Sequence, residues 1–307
     1  MNGPYAAIDC GSNSIRLLVV DDQGHVLARG LRVTRLGEGV DASGMLDDAA
    51  IARTVDAIGG FVSEARRFAA QAIRIVATSA VRDARDRDRF LDAVTAATGE
   101  RPDVLEGEDE ARLSFAGATS DQPRDELLAI VDIGGGSTEL VVGRDRIPDR
   151  FISTQIGCVR HSERFDAHGI VAPARLLEMD AFFETAFGEA LAGWPAPMRL
   201  LGVAGTVTSL AAIDVGVTTY DPDRVHGHVL DRHTIEHLRA DLASIEPGRR
   251  LARYPILSAG REDVIVVGAS ILLAAMRTFA VETVTASERE ILHGVIQDLR
   301  DPDRRER

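Results

Sequence analysis

The sequence predicts an α/β protein made of two similar halves, and three observations carry that reading. Residues 6–20 (AAIDCGSNSIRLLVV) and 129–142 (AIVDIGGGSTELVV) share one pattern. Each is an apolar β-branched run, an Asp (Asp9, Asp132), a turn of Gly, Ser, Asn or Thr, and a second apolar run, which reads as two strands joined by a tight turn. Behind each hairpin, short strands alternate with helical stretches, the signature of the α/β class. The length of 307 residues suits about two domains, each able to bury its own core.

The first half continues with a strand near 25–32 and a helix over 47–70, where Ile51, Val55, Ile58, Val62 and Phe68 recur at helical spacing. A strand at 73–77 leads through Thr78-Ser79-Ala80 to a helix over 90–97. A strand at 103–105 and a helix over 108–117 follow. Asp121-Gln122-Pro123 is the strongest turn signal before the second hairpin, so the domains are set at 1–122 and 123–307. The second half adds a strand at 150–155, a helical region from about 173 to 192, a strand at 199–203 running into Ala204-Gly205-Thr206, and a helix over 207–213. Beyond lie the segment 231–243, an apolar helix at 262–279, a strand at 283–285 and a last helix from Glu288. The stripe Ile265, Ile271, Leu272, Ala275 reads as core. The final DLRDPDRRER reads as a solvated, frayed tail.

Hydrophobic content of 45% and charged content of 27% are ordinary for a globular protein. No run of 18 apolar residues is present and no leader precedes the first strand, so a cytoplasmic protein with no membrane partner is expected. Two cysteines make no disulfide framework and fit a reducing compartment; Cys10 reads as a small buried thiol. The net charge of −13 argues against nucleic acid as a partner, but a local cluster of arginines can still take a polyanion. The chain has no lysine, which excludes a Walker-type phosphate loop and a Schiff-base mechanism.

Gly11 and Gly134–Gly136 allow the backbone to bend sharply and present successive N–H groups, a nest suited to phosphate. An Asp at the end of the first strand repels phosphate, so its natural partner is Mg²⁺ or a water the ion orders. Two such turns suggest half-sites facing each other across a cleft. His226, His228, His233 and His237 lie close in sequence, but they lack an H-E-x-x-H and a nearby cysteine and read as ordinary histidines.

With these residues in view, the chain resembles the exopolyphosphatase/guanosine pentaphosphate phosphatase family, part of the actin, sugar-kinase and heat-shock ATPase superfamily. The motifs are AAIDCGSNSIRLL, VTRLGEGVD, VATSAVRDA, EDEARLSF, IVDIGGGSTEL, QIGCVRHSERF, GVAGTVTSLAA and GREDVIVVGASILL. The family's usual Glu-Glu-Ala reads Asp109-Glu110-Ala111 here, and its near-terminal glycine-arginine motif is replaced by SEREILHG. The resemblance implies two ribonuclease-H-like, actin-like ATPase domains flanking a central cleft. It also implies hydrolysis of the terminal phosphoanhydride of inorganic polyphosphate, of shorter chains by preference, since the long members' extra helical domains are lacking.

By that resemblance Glu110 matches the catalytic glutamate, the base that deprotonates water. Its neighbours Glu106, Glu108 and Asp109 make a plain solvated acidic face the competing reading. Asp9, Asp132 and Glu139 are placed to hold Mg²⁺ (or Mn²⁺), with Asp132 and Glu139 counted in the catalytic set. Phosphate falls to Gly11, Ser12, Asn13, Ser14, Gly134, Gly135, Gly136, Ser137 and Thr138, with Arg82 supplying a planar fork. Arg16 either does the same or is simply exposed. Arg112 and Arg160 have weaker claims. Gly205 and Thr206, at a third strand-to-helix turn, line the end of the anion site. Guanosine pentaphosphate is the alternative substrate. A non-catalytic sensor of guanosine penta- or tetraphosphate and an acid or sugar kinase rank lower, and the family makes a homodimer plausible.

Overall fold

Six successive buried residues, Tyr5–Cys10, form β1, the middle strand of the first sheet. In the computed structural model, which describes residues 3–257 and 259–301, this strand is followed by β2 (Ser14–Val20), β3 (Val26–Val33), α1 (Val40–Ser43) and α2 (Asp48–Arg67). Then come β4 (Ala72–Ala77), α3 (Ser79–Asp83), α4 (Arg87–Thr98), β5 (Asp103–Val104) and α5 (Gly107–Ala118). The sheet order is β3-β2-β1-β4-β5. The first three strands pair antiparallel, and β1, β4 and β5 run parallel.

The second half holds β6 (Leu128–Ile133), β7 (Thr138–Arg144), β8 (Ile147–Thr154), α6 (Cys158–Arg164), α7 (Pro173–Ala190), β9 (Arg199–Val203) and α8 (Ala204–Val215). It continues through α9 (Pro222–Val225), β10 (Val229–Asp231), α10 (Arg232–Ala243), α11 (Pro247–Arg253), α12 (Ile265–Thr278) and β11 (Thr283–Ala286). Its sheet order is β10-β11-β9-β6-β7-β8, so β8-β7-β6-β9-β11 repeats the plan of the first sheet, with β10 added at the edge. The repeat extends to detail. Asp9 pairs with Arg16 across one hairpin and Asp132 with Glu139 across the other. Each outer pairing carries a bulge, at Val19/Val20 and at Val142/Gly143. Two copies of a ribonuclease-H-like 3-2-1-4-5 sheet make up the chain.

The chain divides into two compact units, Met1–Gly117 with Glu290–Arg307, and Ala118–Arg289. This corrects the sequence-based boundary at both ends, and the reason is the last helix, α13 (Ile291–Arg300). A strand buried on both faces needs cover on both. Ala6, Ile8 and Cys10 point into a core with α2 and α4. Tyr5 and Ala7 point the other way, against Leu113 of α5 and Ile291, Leu292, Val295 and Ile296 of α13. Helix α13 supplies four of the buried side chains that cover that second face. Its fit depends on Gly294, where a Cβ would lie 2.1 Å from the Leu113 carbonyl oxygen. The expected frayed tail is corrected as well: Asp298 is buried and ion-paired to Arg112 at 2.9 Å. Residues 302–307 of that segment lie outside the described residues.

In the second unit the apolar helix α12 is buried from Ile265 to Met276. It packs against α7, α10 and α6, as expected of a helix that is apolar all round. Among the described residues no helix is long and apolar enough to cross a membrane.

Candidate active site

In each unit the sites form at the carboxyl ends of the central parallel strands, where open α/β sheets bind ligands. In the second unit the turn between β6 and β7 closes through Gly134 N–H donating to the Ser137 carbonyl at 2.9 Å; the first turn does the same from Gly11 to Ser14 at 3.2 Å. The carbonyls of the second turn are then taken up by the start of α6. Cys158 N–H donates to Gly134 O at 2.9 Å, and Val159 and Arg160 N–H to Gly135 O at 2.8 and 3.1 Å. Arg160 Nε donates to Gly136 O at 2.9 Å. A trans peptide points its N–H opposite to the carbonyl in the same plane. The N–H groups of Gly135, Gly136 and Ser137 therefore all face away from α6, the arrangement of an anion nest. The approach is so close that only glycine fits at 157, where a Cβ would stand 2.3 Å from Gly135 O.

Two hydroxyls sit on this turn. Ser137 Oγ and Thr138 Oγ1 are buried and have no hydrogen-bond partner in the protein. Such groups normally cost about 1–3 kcal/mol and are tolerated where a ligand satisfies them. One residue pair further along, Asp132 (7% exposed) and Glu139 (1%) face one another across the hairpin. Glu139 is fixed by a 2.7 Å hydrogen bond from Ser153 Oγ, a residue the sequence reading did not single out.

In the first unit the turn is braced differently. Gly37 N–H donates to Ser12 O at 2.8 Å, and Thr34 and Arg35 N–H to Asn13 O at 3.1 and 3.0 Å. Ser12 Oγ meets Ser79 Oγ at 2.9 Å, and Thr78 N–H donates to Cys10 O at 3.2 Å, so the start of α3 leans on the turn. Arg82 of α3 and Glu110 of α5 come together: Arg82 Nη1 donates to Glu110 Oε2 at 2.7 Å and to Leu105 O at 2.9 Å. Glu110 is 7% exposed, so the reading of residues 106–110 as a uniformly solvated face is wrong for it; Glu106, Glu108 and Asp109 are the exposed members.

Arg16 is half-buried and ion-paired rather than simply exposed. Its Nε and Nη2 donate to Asp9 Oδ2 at 3.2 and 2.6 Å, and its Nη1 pairs with Glu290. The other Asp9 oxygen, Oδ1, is buried without a partner. Hard oxygen donors are thus present in each unit by itself, the orphaned Asp9 Oδ1 in the first and the Asp132–Glu139 pair in the second. Mg²⁺ needs only one or two carboxylates because it keeps much of its water, so these residues fit such an ion. No group of three or more His, Cys, Asp or Glu side chains that could hold a metal occurs among the described residues.

The third turn is built differently from the two hairpin turns. Ala204 begins α8 with φ of 63°, a strained value for a residue with a side chain. Gly205 lies under Arg261, whose Nη1 donates to Gly205 O and Ser209 Oγ, both at 3.2 Å. A Cβ at Gly205 would come within 2.4 Å of that guanidinium. Thr206 is buried against Gly268 of α12, which gives its side chain a packing contact. Arg261 stands in the GREDVIVVGASILL motif, to which the sequence analysis gave no residue role. His226 and His228 each pair with an aspartate, Asp121 and Asp214, at 2.7 Å.

Residues 18–301 match the Ppx/GppA phosphatase family. The chain belongs to that family. Exopolyphosphatase 2 of Mycobacterium tuberculosis is 35% identical, over 96% of this chain and 98% of that protein. Guanosine-5'-triphosphate,3'-diphosphate pyrophosphatase of Photobacterium profundum is 28% identical, over 96% of this chain and 59% of that one. The crystal structure of the Aquifex aeolicus Ppx/GppA family member is 28% identical with a TM-score of 0.82, over 100% of this chain and 99% of that one.

Proposed function

We propose that this protein is an exopolyphosphatase, a cytoplasmic Mg²⁺-dependent hydrolase that releases orthophosphate from the end of inorganic polyphosphate. The observation that carries the reading is the β6–β7 turn: three N–H groups aimed one way, with two buried hydroxyls beside them that the protein leaves unsatisfied. Phosphoryl oxygens complete both sets. The full-length likeness to exopolyphosphatase 2 supports the choice of substrate.

Phosphoryl transfer asks mainly for positioning and for stabilisation of charge on the equatorial oxygens. The Gly135, Gly136 and Ser137 amides and the Ser137 and Thr138 hydroxyls donate to those oxygens. In the first unit the Gly11–Ser14 turn holds further phosphate. Glu110 accepts a proton from the attacking water as its oxygen bonds to the terminal phosphorus, and the bridging P–O bond breaks towards the shortened chain. Arg82 grips Glu110 Oε2 and so fixes the carboxylate for its task. In the second unit Asp132 and Glu139 would hold Mg²⁺, which when bound neutralises phosphoryl charge, and the oxygen the first unit offers such an ion is Asp9 Oδ1.

The test is phosphate release from short polyphosphate, long polyphosphate and guanosine pentaphosphate, with and without Mg²⁺. Release from polyphosphate that Glu110→Gln abolishes, while tripolyphosphate still binds, is the expected result. Faster turnover of guanosine pentaphosphate would move the protein to the activity named for its Photobacterium relative. Binding with no turnover of any substrate would make it a sensor.

A further inference from the structure

Arg16 is a residue whose cation is already spoken for. Asp9 occupies its Nε and Nη2, and Glu290 occupies Nη1. The three side chains are 4%, 18% and 10% exposed for Asp9, Arg16 and Glu290, so water screens them little. The two carboxylates differ in how they are held. Asp9 lies directly opposite Arg16 in the β1–β2 ladder and belongs to the wall of the site. Glu290 comes from elsewhere in the chain, as the N-cap of α13. Its side chain accepts from the His293 N–H, while His293 Nδ1 accepts the Glu290 N–H at 3.3 Å. A carboxylate anchored on a helix start thus rests on a guanidinium two residues beyond the first turn.

We propose that Glu290 is a specificity-determining competitor for Arg16: it occupies the guanidinium nitrogen that a substrate phosphoryl group would take, and a ligand must displace it to bind. This rests on the exopolyphosphatase reading, because it needs an anion at the first turn. The consequence is selection by charge density. An orthophosphate or an isolated phosphomonoester offers little beyond what the carboxylate already supplies. A chain of adjacent phosphoryl groups gripped at the turn can offset the lost ion pair. Glu290 therefore raises the threshold for binding and keeps product phosphate from occupying the site.

Glu290→Gln removes the charge and retains a side-chain oxygen for the helix cap. In a Glu110→Gln background, which stops turnover, calorimetric titration with tripolyphosphate should show Kd falling about tenfold on adding Glu290→Gln, equivalent to ~1.4 kcal/mol. Orthophosphate should gain at least as much, narrowing the preference for the longer anion. With Arg16→Met also present, Glu290→Gln should change neither affinity. An unchanged or weakened Kd overturns the proposal. So does a gain that persists without Arg16, because it would reflect only the loss of one negative charge. If the Glu110→Gln protein binds no polyphosphate at all, the exopolyphosphatase reading fails first and the proposal falls with it.

Discussion

Replacing Thr138 by Val separates stability from function at one atom. Thr138 is fully buried at the start of β7, and its Oγ1 has no partner in the protein. Valine keeps the β-branched outline that suits a strand and deletes only the desolvated hydroxyl. An unmade buried hydrogen bond costs about 1–3 kcal/mol. Thr138→Val is therefore expected to stabilise the ligand-free protein, by about 1 kcal/mol once the imperfect fit of a methyl is allowed for. In a unit of this size that is a rise of about 2–4 °C in melting temperature. Activity should move the other way. A hydrogen bond to a charged oxygen contributes about 1.5–3 kcal/mol, so kcat/KM on polyphosphate should fall by about 10- to 100-fold. Urea unfolding followed by circular dichroism and a phosphate-release assay measure the two effects. Thr154→Val is the contrast: its hydroxyl donates to Thr138 O at 3.0 Å, so losing it should destabilise. A destabilised Thr138→Val, or one with full activity, would refute the assignment of this hydroxyl to substrate.

Glu110→Gln should lower kcat by about 10²–10⁴-fold, the usual weight of a general base; near-wild-type turnover would remove Glu110 from the mechanism. Gly157→Ala forces a Cβ onto the turn backbone, so a stability loss of about 1–3 kcal/mol with weakened tripolyphosphate binding is expected in unfolding and titration experiments. Burial opposes ionisation of Asp121, but hydrogen bonds from His226 and Gln122 and the Arg289 charge outweigh it and hold the carboxyl down to about 2. A depressed carboxyl adds stability above its unfolded value near 4 and loses it as pH falls towards 2. Asp121→Asn should thus be less stable than wild type at pH 7, on the order of 1–2 kcal/mol, with the gap closing between pH 4 and 2. Burial raises the Cys10 thiol far above its ordinary range and Cys158 to about 11, where the Arg261 charge offsets part of the effect. Neither should react with a thiol reagent until the protein is unfolded.

The two hairpins, the Asp that leads each turn and the alternation of strands and helices were legible because they are local. An apolar run, a small-residue turn and a second run fix their own pairing, and the register Asp9–Arg16 and Asp132–Glu139 follows from turn length. Helices with a clear apolar stripe, such as α2 and α7, were equally readable, and the strand at 199–203 agrees at both ends. Short helices without a stripe, α6 and α11 among them, went unread because seven residues carry too little periodicity.

What sequence by itself determined is the duplicated α/β plan and the residues able to meet phosphate. Tertiary structure alone decided how those residues are used. Only packing could bring α13 back to the first sheet, because the bare face of β1 acts on whichever apolar helix can reach it, however distant in the chain. The same long-range closure puts Glu290 on Arg16, Arg82 on Glu110 and Arg261 over Gly205. Contacts of this kind depend on distance in space, and nothing in the spacing of residues along the chain encodes it.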